Sequence, residues 1–135
     1  MASNSLISYA DMARKVEAHL ECDCSEATCN SLRRQLDELA SLDEKYQAIL
    51  LEIQDAQRKD ARLEAKVEYF WTLVEDPDLD DTTRHCYYCL IDFTDSHLAS
   101  YRDEYHAWEY DSRMLHARMV ILTQDMDRTM AACRM

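Results

Sequence analysis

The most chemically pointed stretch of this 135-residue chain is HCYYC, residues 85–89. Two thiols three apart on a helix project to the same side. Cys86 and Cys89 therefore have the spacing to share a zinc ion, to form a disulfide, or to pack as small apolar residues. A helix N-terminus at this point favours their thiolate forms. His85 adjoins the pair but points elsewhere once the helix has begun. A second thiol group, Cys22-x-Cys24 with Cys29, lies near His19. A structural zinc takes four ligands, so the candidate metal set is Cys22, Cys24, Cys86 and Cys89, with Cys29, His85 or His19 as substitutes. Zinc is the one cofactor these residues suggest.

Other chemistry finds less support. Asp76-x-Asp78-x-Asp80 matches the start of a calcium loop, but Asp81 stands where glycine is needed and Tyr87 where glutamate is needed. Those carboxylates read better as a helix cap and a solvated acidic cluster. A redox reading of Cys-x-x-Cys requires a βαβ setting, and no strand pattern is present. Di-iron bundles use Glu-x-x-His pairs, to which Asp103-x-x-His106 is the nearest approach, standing alone. No glycine-rich phosphate loop exists. A non-enzymatic protein is expected.

The elements that must position these residues follow from composition. The chain has no glycine and one proline, Pro77. Tight turns draw on glycine wherever φ must be positive, so so few breakers favour long helices. Three helices are predicted in a single all-helical domain covering 1–135. The first, about 8–20, is capped by Ser8 and carries Met12, Val16 and Leu20 at helical spacing. The second, about 26–74, starts at a Ser25 or Thr28 cap. Its seam of Leu32, Leu36, Leu39, Leu42, Tyr46, Ile49, Ile53, Ala56, Leu63, Val67, Phe70 and Val74 settles into alternating threes and fours. Asp60 alone interrupts it. The boundary EDPDLDD, residues 75–81, contains Pro77, which disfavours helix at Asp76. The third helix, about 82–133, is capped by Asp80 or Asp81. Its best seam runs through Tyr101, Tyr105, Trp108, Ser112, Leu115, Met119, Leu122, Met126, Thr129 and Cys133. QRKDAR and FTDSH are the places where the long helices have the composition to bend.

The fold class is thus all-α: a long antiparallel helical hairpin with a short N-terminal helix, forming a helical bundle within the chain or by dimerisation. A straight hairpin of about 50-residue helices spans about 75 Å and puts the two thiol groups at opposite ends. A shared zinc then demands a bent bundle or an antiparallel dimer, and packed or surface thiols are the preferred reading.

The net charge of −12 opposes direct nucleic-acid binding and attraction to an anionic membrane. It suits a basic protein partner. No run approaches the ~20 apolar residues of a membrane span, and the N-terminal stretch lacks the apolar core of a secretory signal. An intracellular location is expected, either the cytoplasm or, for a viral source, the host cytoplasm. Tyr101, Tyr105, Trp108, Leu115, Met119, Leu122 and Met126 form the candidate interface, since aromatic and Met side chains supply large adaptable contact area. The leading function is a helical protein–protein interaction module that binds a protein partner and forms a homodimer. The alternatives are an acidic inhibitor that imitates nucleic acid and blocks a nucleic-acid-binding protein, as viral anti-defence proteins do, and a small zinc- or redox-responsive regulator.

Overall fold

A computed structural model describes residues 8–21 and 25–133 and contains three α-helices: α1 (Tyr9–Leu20), α2 (Glu26–Val74) and α3 (Asp81–Cys133). Each begins on the side chain its sequence offers. Ser8 Oγ accepts from the Asp11 amide at 3.2 Å, and Ser25 Oγ accepts from the Thr28 amide at 3.1 Å. Asp80 accepts from both the amide and the hydroxyl of Thr83, at 2.7 and 2.9 Å. These bonds satisfy amides that have no partner inside the first helical turn. The Thr83 amide holds the Asp80 carboxyl below the usual aspartate range. QRKDAR and FTDSH are both helical, so neither ends its helix. Polarity without glycine or proline is insufficient to break a helix whose seam residues stay packed.

The chain divides into two compact units. The first comprises α1, the α2 stretch up to Ile49 and the α3 stretch from Asp111. It is a three-helix arrangement, and its core joins Met12 and Val16 of α1 to Leu32, Leu39 and Leu42 of α2 and to Met119, Leu122, Met126 and Met130 of α3. Lys15 pairs with Asp127 at 3.0 Å across its surface. The short helix thus covers apolar surface that two helices alone would leave wet.

The second unit, Leu50–Tyr110, is the helical hairpin proper, with antiparallel segments of α2 and α3 joined by residues 75–80. Each helix offers one stripe to the other. Ile53, Ala56, Asp60 and Val74 of α2 and Ile91, Thr94 and Leu98 of α3 are the buried residues of this seam. The α3 seam continues N-terminally from Tyr101 in unbroken threes and fours, through Leu98, Thr94, Ile91 and Tyr87 to Arg84. The Arg84 guanidinium closes the turn: Nε donates to the Val74 carbonyl at 3.3 Å and Nη2 to the Asp76 carbonyl at 2.9 Å. A basic side chain thereby satisfies the carbonyls at the end of α2 that a glycine cap would otherwise serve.

Candidate functional site

Of the seven residues predicted as an interface, three are buried and four are half-buried. Met119, Leu122 and Met126 are buried in the core of the first unit, with Leu115 against it. Tyr101, Tyr105 and Trp108 lie half-buried on the α3 seam of the second unit. The remaining exposed chemistry concentrates in the second unit, in four places.

The first is where Asp60 interrupts the α2 seam. Arg102 donates from Nε to Asp60 Oδ2 at 2.9 Å and from Nη2 to Oδ1 at 3.1 Å, and also pairs with Glu64. The Tyr105 hydroxyl donates to Asp60 Oδ2 at 3.1 Å. The Arg102 hydrogen bonds hold the Asp60 carboxyl below its ordinary range, and Asp60 in turn holds the guanidinium more firmly protonated. Burial first, and the nearby Asp60 carboxylate second, push the Tyr105 phenol up. An open polar cleft of about 470 Å³ lies over this group, lined also by Gln57 and His106. Perturbed groups beside a cleft are the usual mark of a functional site. Here, however, the bidentate Arg102–Asp60 pair is completed by Glu64 and Tyr105. Its strongest donors are committed within the chain, so the cluster acts as a polar layer that fixes which residues of α2 and α3 meet.

The second place is the side of the hairpin that carries Lys59, Arg62 and Lys66. These cations recur at i, i+3 and i+7 on α2, one stripe of the helix. With Leu63, His97 and Tyr101 they line a groove of about 280 Å³. Along α3 the rings of Phe93, His97 and Tyr101 form a ladder, with centroids 6.4 and 5.4 Å apart. Lys59 Nζ lies 5.9 Å over the Tyr101 ring and pairs with Asp55 at 3.2 Å. Asp55 first, then Tyr101, raise the Lys59 ammonium pKa.

The third is the loop end of the hairpin. Tyr69, Trp71, Tyr88, Leu90 and Phe93 are all exposed, from 42% for Tyr88 to 71% for Phe93. Trp71 and Tyr88 meet edge-to-face across the two helices at 6.0 Å. Between the helices the loop region carries Glu75, Asp76, Asp78, Asp80 and Asp81. The charge of the whole unit follows the same bias. Its cations are Arg58, Lys59, Arg62, Lys66, Arg84 and Arg102, six against fifteen Asp and Glu, a net of −9 out of −12 for the chain.

The fourth is HCYYC itself. Cys86 and Cys89 are exposed on the first turns of α3. His85 was expected to point away from both thiols, but one helical turn sets its Nε2 at 3.6 Å from Cys89 Sγ. The i, i+4 relation brings these two together where the prediction weighed only neighbours in sequence. Cys22 and Cys24 lie outside the described residues. Among the described residues no group of three or more His, Cys, Asp or Glu side chains is placed to hold a metal ion.

Among the described residues no helix is long and apolar enough to cross a membrane. Comparison with protein families, with curated proteins and with solved structures finds no match to this chain.

Proposed function

We propose that this protein is a non-enzymatic helical interaction module that binds a protein partner through the loop end of its hairpin unit. The observation that carries this reading is the exposure of five large side chains, Tyr69, Trp71, Tyr88, Leu90 and Phe93, around a run of carboxylates. Exposed aromatic side chains beside charge are characteristic of protein interfaces, and Trp and Tyr are the side chains that most often anchor them. The partner surface that fits is an apolar pocket bordered by Lys and Arg.

The test compares partner capture by the parent chain with capture by Trp71→Ala/Tyr88→Ala. Both side chains are exposed, so the double variant keeps its fold, checked by its helical circular dichroism. The expected result is loss of the captured partner at unchanged helicity; an identical captured set overturns the reading. The net −9 on this one unit also supports a second reading, in which the carboxylate surface occupies a nucleic-acid-binding channel. The two separate by salt. A charge mimic loses its target steeply between 50 and 500 mM salt, because the Debye length falls from about 14 Å to about 4 Å. An aromatic interface keeps most of its affinity.

A further inference from the structure

The hairpin unit carries two surfaces of opposite charge, each built around aromatic side chains. One is the groove side: Lys59, Arg62 and Lys66 on α2, facing the Phe93–His97–Tyr101 ladder on α3. The other is the acidic loop end, with Glu75, Asp76 and Asp78. The two are continuous. The α2 stripe of Lys59, Arg62 and Lys66 continues at helical spacing into exposed Tyr69, while Leu90 and Phe93 line the same side of α3. An apolar centre therefore sits between a cationic and an anionic end on one face of one hairpin.

A face of that kind is self-complementary under a two-fold rotation. Arg62 precedes the end of α2 at Val74 by twelve residues, a rise of about 18 Å. An axis near Tyr69, perpendicular to the helices, brings Arg62 and Lys66 of each copy opposite residues 73–77 of the other. The same operation stacks Tyr69, Leu90 and Phe93 of the two copies at the centre. In an isologous dimer each such contact occurs twice.

We propose that this face is a docking surface for a second copy of the chain, with Arg62 and Lys66 of each copy receiving the loop carboxylates Asp76 and Asp78 of the other. The proposal rests on reading the loop end as an interaction surface and assigns one side of it; Trp71 and Tyr88, on the opposite side of the hairpin, are left for another partner. Charge complementarity is what selects a second copy. Elsewhere the unit is strongly anionic, so two copies repel in any orientation that does not bring the cationic stripe onto the loop carboxylates. Moderate salt screens that long-range repulsion while leaving close pairs in contact, so association is strongest at intermediate ionic strength.

The test is a charge swap read by sedimentation and native mass spectrometry of the reduced full chain. One variant is Arg62→Glu/Lys66→Glu and the other is Asp76→Lys/Asp78→Lys. All four side chains are exposed, the swap removes only the local bond from the Asp78 amide to Asp76 Oδ1, and circular dichroism checks that each variant stays helical. The parent is expected to dimerise, and each variant alone to dimerise at least about tenfold more weakly. An equimolar mixture of the two is expected to recover a heterodimer, because both contacts are then opposite in sign again. Either variant dimerising as tightly as the parent overturns the proposal, as does a mixture that stays monomeric. A parent that is monomeric at about 100 µM, where any interface of useful affinity is occupied, overturns it too. If such a monomer binds poly-glutamate through Arg62 and Lys66, the stripe belongs to a heterologous acidic partner instead. Capture through Trp71 and Tyr88 is read separately and stands or falls independently of the swap.

Discussion

Asp60 is the sharpest place to test the physical reading of the hairpin. It occupies a seam position yet is charged, and its side chain is only 10% exposed, while Arg102 is 38% exposed. Three hydrogen bonds end on its carboxylate. Bonds to a charged group contribute about 1.5–3 kcal/mol when measured by deletion, but the exposed Arg102 recovers water and keeps Glu64 when Asp60 is neutralised. Asp60→Asn should therefore cost about 1–2 kcal/mol. Asp60→Leu restores an apolar seam residue and leaves no buried charge behind, so it should fall within about 1 kcal/mol of the parent or above it. Both tryptophans, Trp71 and Trp108, lie in this unit, so urea unfolding followed by tryptophan fluorescence reports on the hairpin alone. The pH dependence carries the same information. Asp60 has a depressed carboxyl pKa when folded. Its contribution is present above the unfolded aspartate value near 4 and is lost as pH falls through the lower folded value. Asp60→Leu should flatten the hairpin's acid limb below about pH 4, leaving the part due to Asp80. A loss above about 2 kcal/mol for Asp60→Leu refutes the view that this cluster sets pairing rather than stability, and an Asp60→Asn variant equal to the parent refutes the contribution assigned to its charged hydrogen bonds.

Further outcomes follow from the rest of the packing. Met126→Ala removes a fully buried side chain from the three-helix core and should cost about 2–5 kcal/mol, seen as a lowered midpoint by circular dichroism. Arg84→Ala frees the Val74 and Asp76 carbonyls, and amide exchange over residues 75–83 should accelerate while the remainder of α3 is unchanged. Cys86 and Cys89 should react with a thiol reagent faster than half-buried Cys29, and Cys86→Ser/Cys89→Ser should unfold within about 0.5 kcal/mol of the parent. A large destabilisation in that variant, with zinc lost from the native mass spectrum, would instead make HCYYC a structural metal site.

Most of the helical layout was legible because it depends on local signals. Ser8, Ser25 and Asp80 are capping residues, Pro77 stops α2, and the three-four seam of α2 from Leu32 to Val74 faces inward along its length. The N-terminal half of the α3 seam was harder to see. Arg84, Tyr87, Thr94 and Leu98 are a mixed set that looks apolar only once Arg84 is bonded to the end of α2 and Thr94 Oγ1 is bonded to the Leu90 carbonyl at 2.7 Å. Asp60 likewise looked like an interruption because its partner, Arg102, lies 42 positions away on another helix. The candidate interface shows a related feature. Periodicity identifies which residues leave water, but it does not say whether they leave it against the same chain or a second one. Met119, Leu122 and Met126 found α1; the residues that remain exposed, such as Tyr69 and Phe93, lie one or two positions off the seam.

That difference explains why interaction chemistry collects in one unit. A helix buries one stripe against one neighbour, and a second stripe needs a third element. The first unit has that element in α1, whose Met12 and Val16 are fully buried. The hairpin unit has only two helical segments, yet its sequence is richer in aromatic residues than two stripes can bury. Tyr69, Trp71, Tyr88, Leu90 and Phe93 are the surplus. Replacing them with polar residues would give a more soluble hairpin with the same seam, so the pairing of α2 with α3 does not require them. What they do require is a surface outside the hairpin. The cations at Lys59, Arg62 and Lys66 on one side and the carboxylates from Glu75 to Asp81 at the end restrict which surfaces qualify, by attracting one charge pattern and repelling the other.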